Sequence, residues 1–229
     1  MLQEGESVER LEGGLEIIQN ERYYRFTSDS LLLSRFARAK AGDAVADLCA
    51  GSGVVGLHFL ALHPQSVRSV TLFEMQPALS QMSGRTIARN RLEEKARAVC
   101  ARVQDIAPAY NEAFSLALCN PPYERGGFDK ADPQKAVCRK EIALTLSELL
   151  DSARRILKFG GRFALVHRAD RLAEVLFGMK TRSIEPKRLQ LVSGRPGAKP
   201  YLFLVEGVKG GKEGIDVLPA LSNERGDAF

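Results

Sequence analysis

Short apolar runs alternate along this chain with longer stretches whose apolar residues recur every three or four positions. The runs at 45–48, 67–73, 97–103, 114–119 and 162–167 have the length of buried strands and stop at turn-forming residues. The stretches at 27–40, 53–62, 77–92, 134–158 and 170–180 carry the spacing of helices. Cap-type residues open the first of these. Pro77 opens the third, at a helix position where a missing N–H costs nothing, and Gly160-Gly161 closes the fourth. Two last strand-like runs, 187–193 and 201–208, are separated only by the turn-rich SGRPGAKP. Residues 124–133 read as loop. Strand–helix alternation predicts a doubly wound, mostly parallel α/β sheet of seven strands. The closing pair has no helix between its members, which predicts an antiparallel strand at one edge. A single domain is expected over 1–229, with 1–40 as an N-terminal cap segment and the Gly-rich, charged 210–229 as a flexible tail.

Composition narrows the class. Of 229 residues, 45% are apolar and 27% charged, which excludes wholesale disorder. The longest nearly apolar run, 54–62, is interrupted by His58 and falls well short of the roughly 18–20 residues of a membrane helix. MLQEGESVER lacks the basic and apolar regions of a secretion signal, so a cytoplasmic protein is expected. Cys49, Cys100, Cys119 and Cys138 form no C-x-x-C pair and have no histidine at zinc-ligand spacing. They read as small, buried, reduced residues, and no metal is expected. Charge is uneven: residues 151–212 hold 14 Lys and Arg against 5 Asp and Glu, although the whole chain carries only +5. That block suits a polyanion such as nucleic acid, or else it is a solvated face.

Candidate chemistry clusters after two strands. Gly51-Ser-Gly53-Val-Val-Gly56 follows the first strand, and Glu74 ends the second. Such a turn brings backbone close to a ligand, and the carboxylate suits ribose hydroxyls. Asp47, four residues before Gly51, discriminates between cofactors. Beside a NAD pyrophosphate it would be repelled, whereas the sulfonium and ammonium of S-adenosylmethionine (SAM) attract it. Asp105, after the third strand, is placed to accept from an adenine amino group. Asn120-Pro121-Pro122-Tyr123 follows the fourth strand. The prolines stiffen the loop. The Asn120 side-chain oxygen and the Pro121 carbonyl together offer two acceptors for the N–H bonds of an exocyclic amine, turning its lone pair out of the ring. Tyr123 offers a flat face for a base taken out of its stack. His167, ending the fifth strand, reads as a packed or hydrogen-bonded residue.

The combination of DLCAGSG, FEMQP and NPPY resembles class I SAM-dependent methyltransferases that act on amino nitrogens. IIQNERYYRFTSDSLLLSRFA, LLDSARRILKFGGRFALVHRADRL, EPKRL and PYLFLVEGVKGG narrow the resemblance to the tRNA1(Val) adenine-N6 methyltransferase family, over roughly residues 10–212. The resemblance implies a Rossmann-like methyltransferase fold and methylation of adenine 37 in tRNA. It implies SAM contacts from Phe26, Asp29, Asp47, Gly51, Gly53, Glu74, Met75, Asp105 and Asn120, with Phe26 and Asp29 closing over the methionine end. It also implies amine contacts from Asn120, Pro121, Pro122 and Tyr123. Asp29 reads equally as a helix cap. The chain departs from the family pattern in the mixed charge of residues 124–132 and in Arg139-Lys140-Glu141, where family members often carry Arg-His-Glu. The RNA-docking candidates are Arg168, Arg171, Lys187, Arg188, Arg195 and Lys199. Arg168 follows the fifth strand and is expected at the catalytic edge; the edge of the Arg195–Lys199 turn is open. A monomer without membrane contact is expected. Alternatives are another amino nitrogen (a ribosomal RNA base or a protein glutamine), a NAD-dependent oxidoreductase, and a non-catalytic RNA-binding module.

Overall fold

The computed structural model describes residues 2–23, 28–122 and 144–223. Two strands, β1 (Glu6–Arg10) and β2 (Glu16–Asn20), form an antiparallel hairpin ahead of the main sheet. No strand was expected there, because Arg10 to Gly14 interrupts any alternation the eye can follow. The hairpin lies against helix α3 (Pro77–Arg89). The Ile18 backbone N–H donates to Thr86 Oγ1 at 3.2 Å, and the Glu16 N–H donates to Asn90 Oδ1 at 2.9 Å.

The main sheet contains β3 (Asp43–Leu48), β4 (Val67–Glu74), β5 (Ala96–Cys100), β6 (Phe114–Cys119), β7 (Leu157–Arg168), β8 (Ile184–Ser193) and β9 (Leu202–Lys209). Their order is β8-β9-β7-β6-β3-β4-β5. These are the seven expected strands. β9 runs antiparallel to both β7 and β8, at the end of the sheet that the closing pair foretold. The stretch after Gly210 differs from the loose tail expected: β10 (Asp216–Val217) and β11 (Leu221–Ser222) pair in parallel with β8.

Helices cover both faces. α1 (Ser28–Phe36), α2 (Val54–Leu62) and α3 pack on one, and α4 (Leu146–Ile156) and α5 (Leu172–Thr181) on the other. Central β3 is buried at every position, as a parallel strand covered on both faces must be. Its side chains alternate, Val45 joining one core and Ala44, Ala46 and Leu48 the other. The helix expected over 134–158 begins at Leu146, and its expected residues before 144 lie outside the described residues. A capping box sets that start: Thr145 Oγ1 accepts from the Glu148 N–H at 3.2 Å, and Glu148 Oε2 accepts from the Thr145 N–H at 2.8 Å.

At the amino edge of the sheet, Arg162 and Asp43 form a buried pair with Nη2···Oδ2 at 2.6 Å. Asp43 also accepts from Ser115 Oγ at 2.7 Å and from the Lys40 N–H at 2.7 Å. The network ties the α1–β3 connection to β6 and β7. It leaves the opposite, carboxyl edge for ligands.

Candidate active site

The chain runs from β3 to β4 and β5 on one side, then returns to β6 on the other side of β3. β3 and β6 therefore flank the switch point, where open α/β sheets bind ligands. Their parallel register pairs Asp47 with Leu118 and Leu48 with Cys119. The glycine turn and Asn120-Pro121-Pro122 thus leave neighbouring strands side by side.

The turn is left-handed at Cys49 (φ 60°), Gly51 (φ 55°) and Gly53 (φ 85°). A Cβ on Gly53 would lie 2.7 Å from Leu72 Cδ1, and one on Gly56 would lie 2.9 Å from Val70 Cγ1. Glycine at both positions lets α2 descend directly onto β4. Glu74, at the end of β4, is buried and clamps the turn: Oε2 accepts from the Gly51 N–H at 2.9 Å and Oε1 from the Gln76 N–H at 2.8 Å. With the Met75 N–H also bonded to this carboxylate, one lone-pair site remains for a ligand hydroxyl. Burial raises its carboxyl pKa, opposed by these backbone hydrogen bonds.

Asp47 is 1% exposed. Its Oδ2 accepts from the Gly56 N–H at 2.8 Å, while Oδ1, equally buried, has no hydrogen-bond partner among the described residues. Burial pushes its carboxyl up to about 7, with the Gly56 bond opposing and the Glu74 charge adding. A buried oxygen without a partner calls for an explanation. A cationic ligand group supplies one, so the residues present fit an ammonium or sulfonium.

Asn120 is half-buried, and its Nδ2 donates to Ser30 Oγ on α1 at 3.0 Å. Pro121 is buried and Pro122 half-buried. Asp29, in the first turn of α1, is half-buried and accepts from Ser28 Oγ at 3.5 Å. Met75 follows Glu74 and is 36% exposed. Asp105 is exposed on a short 3-10 turn, 3.9 Å from Arg102. Phe26 and Tyr123 lie outside the described residues.

The structure divides the basic candidates. β7 and β8 both end at the carboxyl edge, where Arg168 and Val192 each face Leu202 of β9 in register. The turn carrying Arg195 and Lys199 therefore sits at the carboxyl edge, and both residues are exposed there. Arg168 is exposed beside them and forks onto Asp170, with Nη2···Oδ2 at 2.7 Å. Arg171 and Arg188 do not belong to this surface. Arg171 is buried and paired with Glu174 at 2.6 Å. Arg188 lies over the Phe36 ring, 3.5 Å from Glu206. Lys187 stands beside the β8 bulge towards the amino edge and donates to the Lys212 carbonyl at 3.1 Å. Hydrophobic pattern and charge count reveal which strand a base follows, not which way it turns. His167 is buried and stacked on Phe203, its Nδ1 accepting from the Arg168 N–H at 2.9 Å. Burial lowers its pKa to about 4, so it is neutral near pH 7.

Several residues at this edge escaped the sequence reading. Ser30 holds Asn120. Asn223 donates to Ser28 Oγ at 3.1 Å and to Tyr201 Oη at 2.9 Å, fastening the chain after β11 to the start of α1. Only the polar run TSDS hinted at Ser28 and Ser30. Cysteine burial also varies: Cys119 is buried, Cys49 half-buried and Cys100 exposed.

Comparison with known proteins agrees with this architecture. The chain is 30% identical over 139 residues to a tRNA1(Val) (adenine(37)-N6)-methyltransferase of Dickeya chrysanthemi, a match covering 61% of this chain and 54% of the relative. It is 25% identical over 189 residues to the protein of that name in Porphyromonas gingivalis, covering 80% and 73%. The match thus spans about half the length of the Dickeya relative. In fold it is similar to an Agrobacterium tumefaciens protein described as a predicted O-methyltransferase, with TM-score 0.66, 22% identity and coverage of 85% and 86%. It is also similar to the M. jannaschii tRNA m1G37 methyltransferase, with TM-score 0.61, 13% identity and coverage of 89% and 54%. Likeness at these identities speaks for the fold alone. The family model of the methyltransferase small domain matches residues 27–183, spanning the glycine turn, the Asn-Pro-Pro segment and strands β3 to β7, and the chain therefore belongs to the methyltransferase small domain family.

Proposed function

We propose that this protein is a SAM-dependent methyltransferase that modifies the exocyclic N6 of an adenine in RNA, with adenine 37 of tRNA1(Val) as the target. The observation that carries the reading is the register of β3 against β6. It sets an unpartnered buried carboxylate oxygen opposite Leu118 of the neighbouring strand, two residues before the proline-stiffened Asn120 amide. The relatives' names supply the substrate. A cytoplasmic site of action follows from a tRNA substrate, and among the described residues no helix is long and apolar enough to cross a membrane.

When bound, SAM supplies an electrophilic methyl group on a sulfonium. Asp47 Oδ1 would accept from its ammonium, and Glu74 would accept from the ribose hydroxyls while still holding Gly51. Asp29 and Phe26 would hold the methionine end, and Met75 and Asp105 the adenine. Ser30 orients the Asn120 amide by accepting from Nδ2. That orientation turns Oδ1 to the incoming base, where it and the Pro121 carbonyl accept both N–H bonds of the target amine. Their pull moves the nitrogen lone pair out of the ring plane, which is the activation an aromatic amine requires. Pro122 stiffens this platform, and Tyr123 stacks the base, worth about 1–3 kcal/mol. No side chain has to abstract a proton first, because the lone pair freed by the Asn120 and Pro121 acceptors is itself the nucleophile. Arg168, Arg195 and Lys199 hold phosphates along the same edge.

Transfer of labelled methyl to tRNA from a strain lacking the gene, followed by nucleoside analysis, tests this. The expected product is N6-methyladenosine. Label in guanosine, or in a protein glutamine, refutes the substrate. Parallel calorimetry with SAM and NADH separates methyl transfer from oxidoreduction.

A further inference from the structure

Cys49 and Cys119 stand where the two halves of the crevice meet, and the mechanism above uses neither. Cys119 ends β6 opposite Leu48, so Cys49 lies one residue diagonal to it. Strands about 4.8 Å apart with a rise of about 3.3 Å per residue give a diagonal Cα separation of roughly 6 Å. That falls within the roughly 4.4–6.8 Å window of disulfides. Cys49 also takes a left-handed φ of 60°, uncommon for a residue with a Cβ. Cys49 packs against the core cluster that contains Cys119. Cys119 is fully buried and Cys49 half-buried, so only Cys49 is open to a small solute.

We propose that Cys49 and Cys119 form a dithiol oxidation site, in which hydrogen peroxide converts the pair to a disulfide that ties the glycine turn to the end of β6. Cys49, as thiolate, attacks one peroxide oxygen and the O–O bond breaks. Cys49 becomes a sulfenic acid, and the hydroxide released takes up the thiol proton as water. The Cys119 sulfur then attacks the Cys49 sulfur and the S–O bond breaks. The leaving hydroxide takes the Cys119 proton as a second water. Two thiols lose two electrons, and the peroxide is reduced to two waters. Burial, with Cys49 and Asp47 nearby, pushes the Cys119 thiol well up, which fits a resolving rather than an attacking role. The bond shortens the sulfur–sulfur separation to about 2.05 Å. It draws the turn that holds Asp47 and Gly51 towards Asn120, narrowing the crevice. Bond formation is independent of the function proposed above; only its effect on cofactor binding rests on that reading.

The test treats the full-length protein with hydrogen peroxide, alkylates remaining thiols and maps peptides without reduction. Two of the four thiols are expected to disappear, with the Cys49 and Cys119 peptides linked, two hydrogens lighter, and separated again by dithiothreitol. Cys49→Ser should leave Cys119 reduced. Cys119→Ser should leave Cys49 as a sulfenic acid that dimedone traps; if that buried variant does not fold, the wild-type map and Cys49→Ser decide. Complete alkylation of both residues after peroxide overturns the proposal. So does a link from either residue to Cys100 or Cys138. SAM calorimetry on oxidised and re-reduced protein reads the consequence: binding should be lost and then regained. A linked pair in a protein that binds no SAM in either state upholds the oxidation site and refutes the cofactor reading.

Discussion

Replacing Asp47 with asparagine separates what this buried carboxylate costs the fold from what it contributes to the ligand. The amide oxygen keeps the Gly56 N–H bond seen at 2.8 Å, so the shape of the turn survives. What changes is charge at a site that is 1% exposed. Burial lifts the Asp47 carboxyl from 3.8 to about 7. The folded protein therefore resists ionisation that the unfolded chain accepts freely above pH 4. The resulting cost is absent in acid, grows between pH 4 and 7, and levels off above that. At about 1.4 kcal/mol per unit, the full cost is roughly 4 kcal/mol, and about 2–3 kcal/mol of it accrues between pH 5 and pH 8. Asp47→Asn should thus stabilise the ligand-free protein relative to wild type, and more so at pH 8. For a chain of this size the difference is about 5–10 °C in relative Tm. Cofactor affinity should move the other way. Losing a charge-assisted hydrogen bond to an ammonium costs about 1.5–3 kcal/mol, or roughly 10- to 150-fold in Kd. Wild-type binding should strengthen as pH rises towards 7 and release a proton below it, whereas the variant should show neither. Thermal melts at both pH values and SAM calorimetry in buffers of different ionisation heat measure all three. A stability difference unchanged between pH 5 and 8, together with unaltered SAM affinity, would refute the reasoning that an ionised Asp47 awaits a cation.

Other expected outcomes follow from the same geometry. Glu74→Ala removes the acceptor of the Gly51 and Gln76 N–H groups as well as the ribose grip, so calorimetry should show SAM binding weakened by at least about 1–3 kcal/mol. Asn120→Ala should remove most turnover while SAM affinity stays nearly unchanged. Ser30→Ala should lower kcat less, with Ser30→Thr retaining activity; equal losses in SAM affinity would argue that both residues serve the cofactor instead. Reversing Arg195 and Lys199 to Glu should raise the KM for tRNA and flatten its salt dependence by up to about two phosphates' worth, whereas Lys187→Glu, towards the far edge, should do neither. Asp43→Ala strands Arg162 in the interior and should destabilise the protein by about 3–5 kcal/mol, read by urea titration, with no specific effect on residual SAM affinity.

Local chemistry made much of this protein legible in its sequence. Strands β3 to β9 announced themselves because a covered strand must be a short apolar run between turn residues. The glycine turn was readable because left-handed backbone favours glycine, although Cys49 tolerates it, and because close helix–strand approach at Gly53 and Gly56 excludes a Cβ. Asp47, Glu74 and Asn120 stood out because each lies at or just past the carboxyl end of a strand, and strand ends in this class of sheet face the ligand. What the sequence could not supply were facts that depend on neighbours from distant parts of the chain. It could not tell that Ser30 meets Asn120, ninety residues later, because a serine in a helix start reads as a cap. It could not separate Arg168, Arg195 and Lys199 from Arg171 and Arg188, since all five are equally basic and only packing against Glu174, Glu206 and Phe36 turns two of them inward. Nor could spacing alone show that Cys49 and Cys119 are partners, or that residues 216–223 return along β8 to fasten α1. Pattern along a chain records which face of an element is buried. Which buried groups then meet is set by strand order and register, and those exist only once the sheet has formed.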